Sequence, residues 1–165
     1  MRIGVPKEIK NEERRVGLTP ASVRELTTAG HALFVETRAG EGIDASDDDY
    51  QRAGASIIDT ALEVFETAEL IVKVKEPQAV ERERLRRDHT LFTYLHLAPD
   101  AEQTKDLVSS GATCIAYETV TGARGGLPLL TPMSQVAGRM SIQAGAASLE
   151  ASRGGAGLLP VSYTH

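Results

Sequence analysis

Six short apolar runs separated by stretches of helical spacing constrain this chain more than any other feature. The runs are Arg2–Pro6, His31–Glu36, Ser56–Ile58, Leu70–Val74, Thr90–Leu95 and Thr113–Tyr117. Between them the apolar spacing predicts helices near Pro20–Ala29, Ser46–Ala53, Thr60–Thr67, Ala79–Arg86 and Ala101–Ser109. Strands that alternate with helices pair in parallel through right-handed crossovers, so the expected class is α/β with a mostly parallel sheet and flanking helices. Helix punctuation agrees. Thr19 stands as an N-cap before Pro20, Asp59 stands before Thr60, and Gly30 and Gly111 fall where helices should stop.

A different element follows. The segment LPLLTPMSQVAGRMSIQAGAASLEASRGG reads as a turn at Leu127–Pro132 and one long helix from about Met133 to Ser152. Its interior carries Gly138 and Gly145, and a helical glycine costs about 1 kcal/mol against alanine, so another backbone is expected to approach them closely. The helix suits a connector to a further domain or a subunit contact. The expected division is a substrate-binding domain over residues 1–128, a connecting helix over 129–153 and a truncated or artefactual tail over 154–165.

Composition narrows the function. A chain of 165 residues with 41% apolar and 25% charged residues is long enough and apolar enough for a real core. A net charge of −5 argues against a nucleic-acid partner, because phosphate binding needs concentrated cations. No run approaches the ~18 apolar residues of a membrane span, and MRIGVPKE lacks a signal peptide's apolar centre, so the expected location is the cytoplasm. Cys114 is the only cysteine, and in GATCIAY it reads as a small buried strand residue rather than a catalytic thiol.

Gly40, Gly42 and Ala45 form G-x-G-x-x-A after a predicted strand, with Asp59 further on, which imitates a dinucleotide fingerprint. Such a loop works by presenting a helix N-terminus to pyrophosphate. Here the next helix opens among Asp44, Asp47, Asp48 and Asp49, which repel that anion. The glycines are therefore expected to serve a turn.

Ligands of open parallel sheets bind beyond the carboxyl ends of the strands. Arg14 and Arg15 follow the first run, Lys75 ends LIVKVK two residues after Lys73, His96 ends LFTYLH and Glu118 ends CIAYE. Each has an ordinary reading as well. Arg15 could pair with Glu8, Glu12 or Glu13, Lys75 could be an edge charge, His96 could be a structural histidine needing a partner in its apolar run, and Tyr94 and Tyr117 could be core aromatics. Two kinds of cation with an imidazole, which changes charge near neutral pH, suit a small carboxylate or oxo acid. On residues alone the reading ends at an α/β domain that binds a small anion.

MRIGVPKEIKNEERRVGLTP resembles the opening of the family shared by alanine dehydrogenases and proton-translocating nicotinamide nucleotide transhydrogenases. LIVKVKEP, LFTYLHLA, IAYETV and LPLLTPMSQVAGRMSIQAGA resemble the alanine dehydrogenase branch, and the likeness runs from Met1 to about Leu159. The resemblance implies a Rossmann-like or flavodoxin-like substrate domain ending in a long connecting helix. It implies reversible, NAD-dependent oxidative deamination of L-alanine to pyruvate and ammonia by a homo-oligomer, with no metal. It gives Arg15 and Lys75 the role of binding substrate, Lys75 a further catalytic role, His96 that of catalytic acid/base, and Ser134 a contact to the NAD pyrophosphate. Glu118 and Met133 line the neighbourhood in similar enzymes. The resemblance also places the family's glycine-rich cofactor loop and a catalytic aspartate beyond this stretch, and segments near the carboxyl terminus that complete this domain. PVSYTH, from Pro160, fits neither the family's continuation nor a natural terminus, and apolar surface along Met133–Leu149 is expected to be exposed. The competing readings are a transhydrogenase subunit, the related lysine-forming saccharopine dehydrogenase, and a non-enzymatic small-anion-binding α/β module.

Overall fold

In a computed structural model the chain is described over residues 1–158, so the PVSYTH tail lies outside the described residues. Six strands form one parallel sheet: β1 (Arg2–Val5), β2 (Ala32–Glu36), β3 (Ser56–Ile58), β4 (Leu70–Val72), β5 (Thr90–Thr93) and β6 (Thr113–Ala116), in the order β3-β2-β1-β4-β5-β6. The connecting helices are α1 (Pro20–Thr28), α2 (Asp47–Arg52), α3 (Ala61–Thr67), α4 (Ala79–Arg82) and α5 (Ala101–Ser110). All six expected strands and five expected connecting helices are present, each within a few residues of its expected limits.

The strand order is that of a Rossmann-like sheet rather than a flavodoxin-like one. The chain starts at the centre on β1, steps outward to β3, returns through α3 to β4, and steps outward again to β6. Connections leaving β1 and β4 therefore run toward opposite edges, and a crevice opens between their carboxyl ends. Right-handed crossovers place α1 and α2 on one face and α3, α4 and α5 on the other. Two cores follow. Ile3, Val5, Leu33, Val35 and Val72 pack with Val23 and Tyr50, whereas Ile71, Leu91 and Leu95 pack with Phe65 and Leu107.

Local chemistry explains the helix starts. Thr19 caps α1, its side chain accepting the Ser22 N–H, with Pro20 at the first position. Ser46 with Asp49 and Thr60 with Glu63 form capping boxes at α2 and α3. The cap of α3 is thus Thr60 itself and not Asp59. Gly111 ends α5 at φ +68° as expected, and Gly30 follows α1 at φ +86°. Helix α4 is shorter than its apolar pattern suggested, because Arg84 and Leu85 turn into three-residue bonds to Glu81 and Arg82.

Two strands also stop early, and the cause bears on function. The regular strands end at Val72 and Thr93, although the Lys73 N–H still donates to the Phe92 carbonyl and the Tyr94 N–H to the Val74 carbonyl, so the β4–β5 pairing runs a little further. The Val74 N–H is taken by the Glu8 carboxylate at 2.7 Å and the Leu95 N–H by the Glu118 carboxylate at 3.1 Å. The chain divides into two compact units, Met1–Glu118 and Thr119 onward. In the second unit, α6 (Thr131–Leu149) has no buried residue, and Val136, Met140 and Ile142 are exposed. Nothing described lies within 4 Å of a Cβ placed at Gly138 or Gly145, so the close approach expected there does not occur within the described chain.

Gly17 and Gly42 are needed for close approach. A Cβ on Gly17 would stand 2.4 Å from the Val72 carbonyl oxygen, and one on Gly42 would stand 2.2 Å from that of Arg14. These contacts seat the Arg14–Gly17 loop on the tip of β4 and under the loop after β2. Since backbone cannot yield cheaply, Gly17→Ala is expected to destabilise the protein by about 1–3 kcal/mol, read as a lower urea midpoint with an unchanged denaturant slope.

Candidate active site at the carboxyl ends of the strands

The crevice between β1 and β4 is organised by a buried ion cluster. Lys73, fully buried just past β4, has its ammonium 3.2 Å from Glu8 Oε2 and 2.7 Å from Glu81 Oε1. Glu8 comes from the loop after β1 and Glu81 from α4, where its other oxygen accepts the Gln78 N–H at 2.8 Å. Burial pushes the Glu8 carboxyl above its ordinary range, and the Lys73 charge pulls it partly back. Lys73 is sealed in this cluster, whereas Lys75, two residues further on, is half-buried at the tip. The Lys75 backbone is fixed on both flanks, the Val74 N–H by Glu8 and the Lys75 carbonyl by the Thr93 hydroxyl at 2.9 Å.

Arg15 is held by Glu13. Its Nε donates to Glu13 Oε1 at 2.8 Å and its Nη2 to Oε2 at 2.6 Å, so one edge of the planar guanidinium is set by a paired contact. The Arg15 N–H adds a third bond to Oε1 at 2.8 Å. These bonds push the Glu13 carboxyl down to about 2, against some burial, and Lys75 contributes to the same shift. The Arg15 pKa is raised, first by Glu13 and further by Tyr94 and Glu8, with burial opposing. Of the three acids available to Arg15, Glu13 is therefore the partner, and Glu8 serves Lys73 instead. Arg14 is exposed.

His96 is exposed, not enclosed by its apolar run as its neighbours in sequence suggested. Its ring lies nearly parallel to that of Tyr94, with centroids 6.0 Å apart and planes at 12°. Tyr94 in turn meets Tyr117 edge-on at 5.0 Å, and Tyr117 meets Phe92 at 4.3 Å. Both tyrosines are half-buried, and burial pushes the Tyr117 phenol well above its ordinary value. Arg15, Lys75 and His96 are thus linked through shared neighbours: Glu13 feels both cations, and Tyr94 acts on Arg15 and stacks on His96. Glu118 faces the backbone at the end of β5, accepting the His96 N–H at 2.7 Å.

A cleft of about 400 Å³ beside this loop is lined by Lys7, Glu8, Glu13, Arg15 and Gly42, among others. A larger one of about 560 Å³ lies over Arg38, Glu41, Asp44, Ser46, Asp47 and Asp48. Its acidic lining is unsuited to an anionic ligand. The G-x-G-x-x-A loop borders that second cleft as a single three-residue turn over Glu41–Ile43, followed by α2 with three aspartates in its first turn. A Cβ at Gly40 would stand 2.6 Å from the Tyr50 ring, so both glycines there answer to packing. The loop is a turn, as expected, and it offers no cradle for pyrophosphate. Ser134 stands exposed near the start of α6, where the first turn carries no acid.

Cys114 is half-buried rather than buried, and burial pushes its thiol up, away from a reactive thiolate. Among the described residues no group of three or more His, Cys, Asp or Glu side chains could hold a metal ion. Among them, too, no helix is long and apolar enough to cross a membrane. Sequence reasoning missed Glu81 and Gln103 and left Glu118 without a role. Glu81 and Gln103 each carried a signal as the third residue after a helix start, at Gln78 and Asp100.

Removing Lys73 would strand two buried carboxylates. Lys73→Met is expected to cost about 3–5 kcal/mol, as for other buried pairs broken from one side, and adding Glu8→Gln should recover part of it. Urea denaturation of the two variants checks both statements.

The family model described as alanine dehydrogenase/PNT, N-terminal domain, matches residues 4–137. Over 159 residues the chain is 59% identical to an alanine dehydrogenase of Halomonas elongata, 56% to one of Methanococcus maripaludis and 52% to one of Mycobacterium tuberculosis. Each match covers 96% of this chain and 43% of the relative, so the chain spans less than half the length of these curated relatives. It is similar to a solved L-alanine dehydrogenase structure with a TM-score of 0.85 at 53% identity, covering 96% of this chain and 44% of that one. A transhydrogenase from Sinorhizobium meliloti gives a TM-score of 0.67 at 29% identity, over 72% of this chain and 34% of that one.

Proposed function

Because this chain belongs to the family of the alanine dehydrogenase and PNT amino-terminal domain, we propose that it is the substrate-binding part of an alanine dehydrogenase, which deaminates L-alanine reversibly to pyruvate and ammonia. The observation that carries the reading is the grouping of Arg15, Lys75 and His96 around Glu13 and Tyr94, beyond the carboxyl ends of the sheet. Residues 1–128 would supply substrate binding, and 129–153 would connect them to the part of the protein that these relatives have in addition. The whole enzyme is proposed to be a homo-oligomer in the cytoplasm.

Arg15 binds the substrate carboxylate through paired hydrogen bonds and so fixes the direction of the α-carbon. Glu13 keeps the guanidinium plane from rotating, which makes that direction reproducible. The Lys75 ammonium draws electron density from the oxo or imino carbon, making it the better electrophile for water in one direction and for hydride in the other. His96 takes the proton as water adds to the imino carbon and returns one as the amine leaves. The chemistry that NAD would supply when bound is a hydride acceptor for the α-carbon. Ser134, exposed in an acid-free first turn, fits a contact to its pyrophosphate, whereas the Gly40–Ala45 loop does not. The lower identity and coverage of the transhydrogenase match favour alanine as substrate over transfer between two nicotinamides. Alanine-dependent NADH formation by the full-length enzyme tests this, and alanine-independent hydride exchange from NADPH to NAD would replace it with the transhydrogenase reading.

Two substitutions separate binding from chemistry. Charge-assisted hydrogen bonds contribute about 1.5–3 kcal/mol each, so Arg15→Ala is expected to raise the pyruvate KM roughly ten- to a hundredfold. Arg15→Lys should restore only part, since a point charge lacks the planar fork. A KM within about twofold of wild type would make Arg15 a structural partner of Glu13 alone. His96→Ala should instead lower kcat by about 10²–10⁴-fold with little change in pyruvate KM. A folded variant keeping more than about a tenth of wild-type kcat would remove His96 from the proton path.

A further inference from the structure

His96 leaves the end of β5 at φ +48°, a left-handed conformation that side chains with a Cβ rarely adopt. The residue is exposed, so packing around its ring does not impose that angle. The peptide group leading into it is held on both sides. The Leu95 carbonyl accepts a hydrogen bond from Gln103 Nε2 at 2.6 Å, and the His96 N–H donates to Glu118 Oε1 at 2.7 Å. The Leu95 N–H, one peptide earlier, reaches the same carboxylate at 3.1 and 3.3 Å. Gln103 and Leu95 are both buried, where an unpaired backbone group has no water to turn to.

The two anchors come from independent elements. Gln103 lies in the first turn of α5, its own N–H fixed by the Asp100 cap at 2.8 Å. Glu118 lies past the end of β6, which pairs with β5 from Thr90–Thr113 through Thr93–Ala116. A peptide plane held by its oxygen from one side and by its N–H from the other cannot rotate, and it fixes the N–Cα axis from which the His96 side chain departs. That side chain carries the imidazole onto the face of Tyr94.

We propose that Gln103 and Glu118 are positioning residues for His96, clamping the Leu95–His96 peptide so that the imidazole stands against Tyr94. The inference rests on the reading of His96 as the proton carrier. Displacing a reacting group by about 1 Å can lower a rate by about 10²-fold, so the clamp should act on kcat and leave substrate binding alone.

The test uses Gln103→Leu, Glu118→Ala and the near-isosteric Glu118→Gln in the full-length enzyme, each alone and in a His96→Ala background. Gln103→Leu and Glu118→Ala are expected to lower kcat roughly ten- to a hundredfold, with pyruvate KM moving by less than about threefold. Glu118→Gln retains one acceptor and should keep more activity than Glu118→Ala. In the His96→Ala background all three should change kcat by less than about twofold, since residues acting through one group are not additive. Losses that persist undiminished in that background would make the residues merely structural and overturn the proposal. So would wild-type kcat in folded Gln103→Leu and Glu118→Gln, which also decide the matter if Glu118→Ala does not fold. A crystal structure of Gln103→Leu judges the clamp apart from catalysis: relaxation of His96 to negative φ supports it, and φ near +48° overturns it. Should His96→Ala by itself leave kcat intact, the proton-carrier reading fails, and this structural arm still decides the clamp.

Discussion

Where β1 and β4 separate, the Val74 N–H has no ladder partner although the residue is buried, and a buried donor left alone is costly. Glu8 fills the vacancy, but a carboxylate brought that deep needs a cation, and Lys73 provides it from the neighbouring position of the same strand. Lys73 in turn has a second carboxylate, Glu81, which ties α4 to the cluster and caps that helix at the same time. One unpaired N–H at a topological switch point thus explains the position of a loop, a strand tip and a helix. Lys75 sits two residues from Lys73, and its direction follows from this arrangement.

The same solution recurs one strand over. Beyond Thr93 the Leu95 N–H is again taken by a side-chain carboxylate, this time Glu118 from the edge strand's end. Both strand tips that carry candidate catalytic groups stay bonded to each other, through Lys73 to Phe92 and Tyr94 to Val74, while an acid takes the next N–H on each strand. Tyr94 makes the last of these bonds to β4, and two residues beyond it His96 takes a positive φ while the rest of β5 stays regular. Glu13 does for the Arg15 side chain what these acids do for backbone, fixing a planar group by two bonds at once.

The region after β2 shows how little a spacing of glycines decides. Gly40 and Gly42 have the separation of a nucleotide loop, yet the neighbours that exclude a Cβ there are the Tyr50 ring and the Arg14 carbonyl. The helix that should receive an anion instead opens with three aspartates, one of which closes its own capping box. Charge and close packing agree, and both exclude pyrophosphate from this loop.

The order of elements, the parallel sheet and the helix starts were legible in the sequence because they depend on local periodicity and on capping chemistry within four residues, as at Thr19 and Ser46. The placement of Lys75 and His96 just beyond strands, and of Arg15 in the loop after the first one, was legible for the same reason, since the runs themselves can be read from their own residues. The partners of those groups could not be read in this way. Glu8 and Val74, Leu95 and Gln103, and His96 and Glu118 are brought together by the order in which strands pair, and nothing in the spacing of their residues announces it. The exposure of His96 inside an apolar stretch is likewise a property of the folded sheet. Periodicity determined which segments form the sheet; only the folded sheet, by leaving specific backbone donors without ladder partners, decided which acids and amides come to the carboxyl ends of its strands.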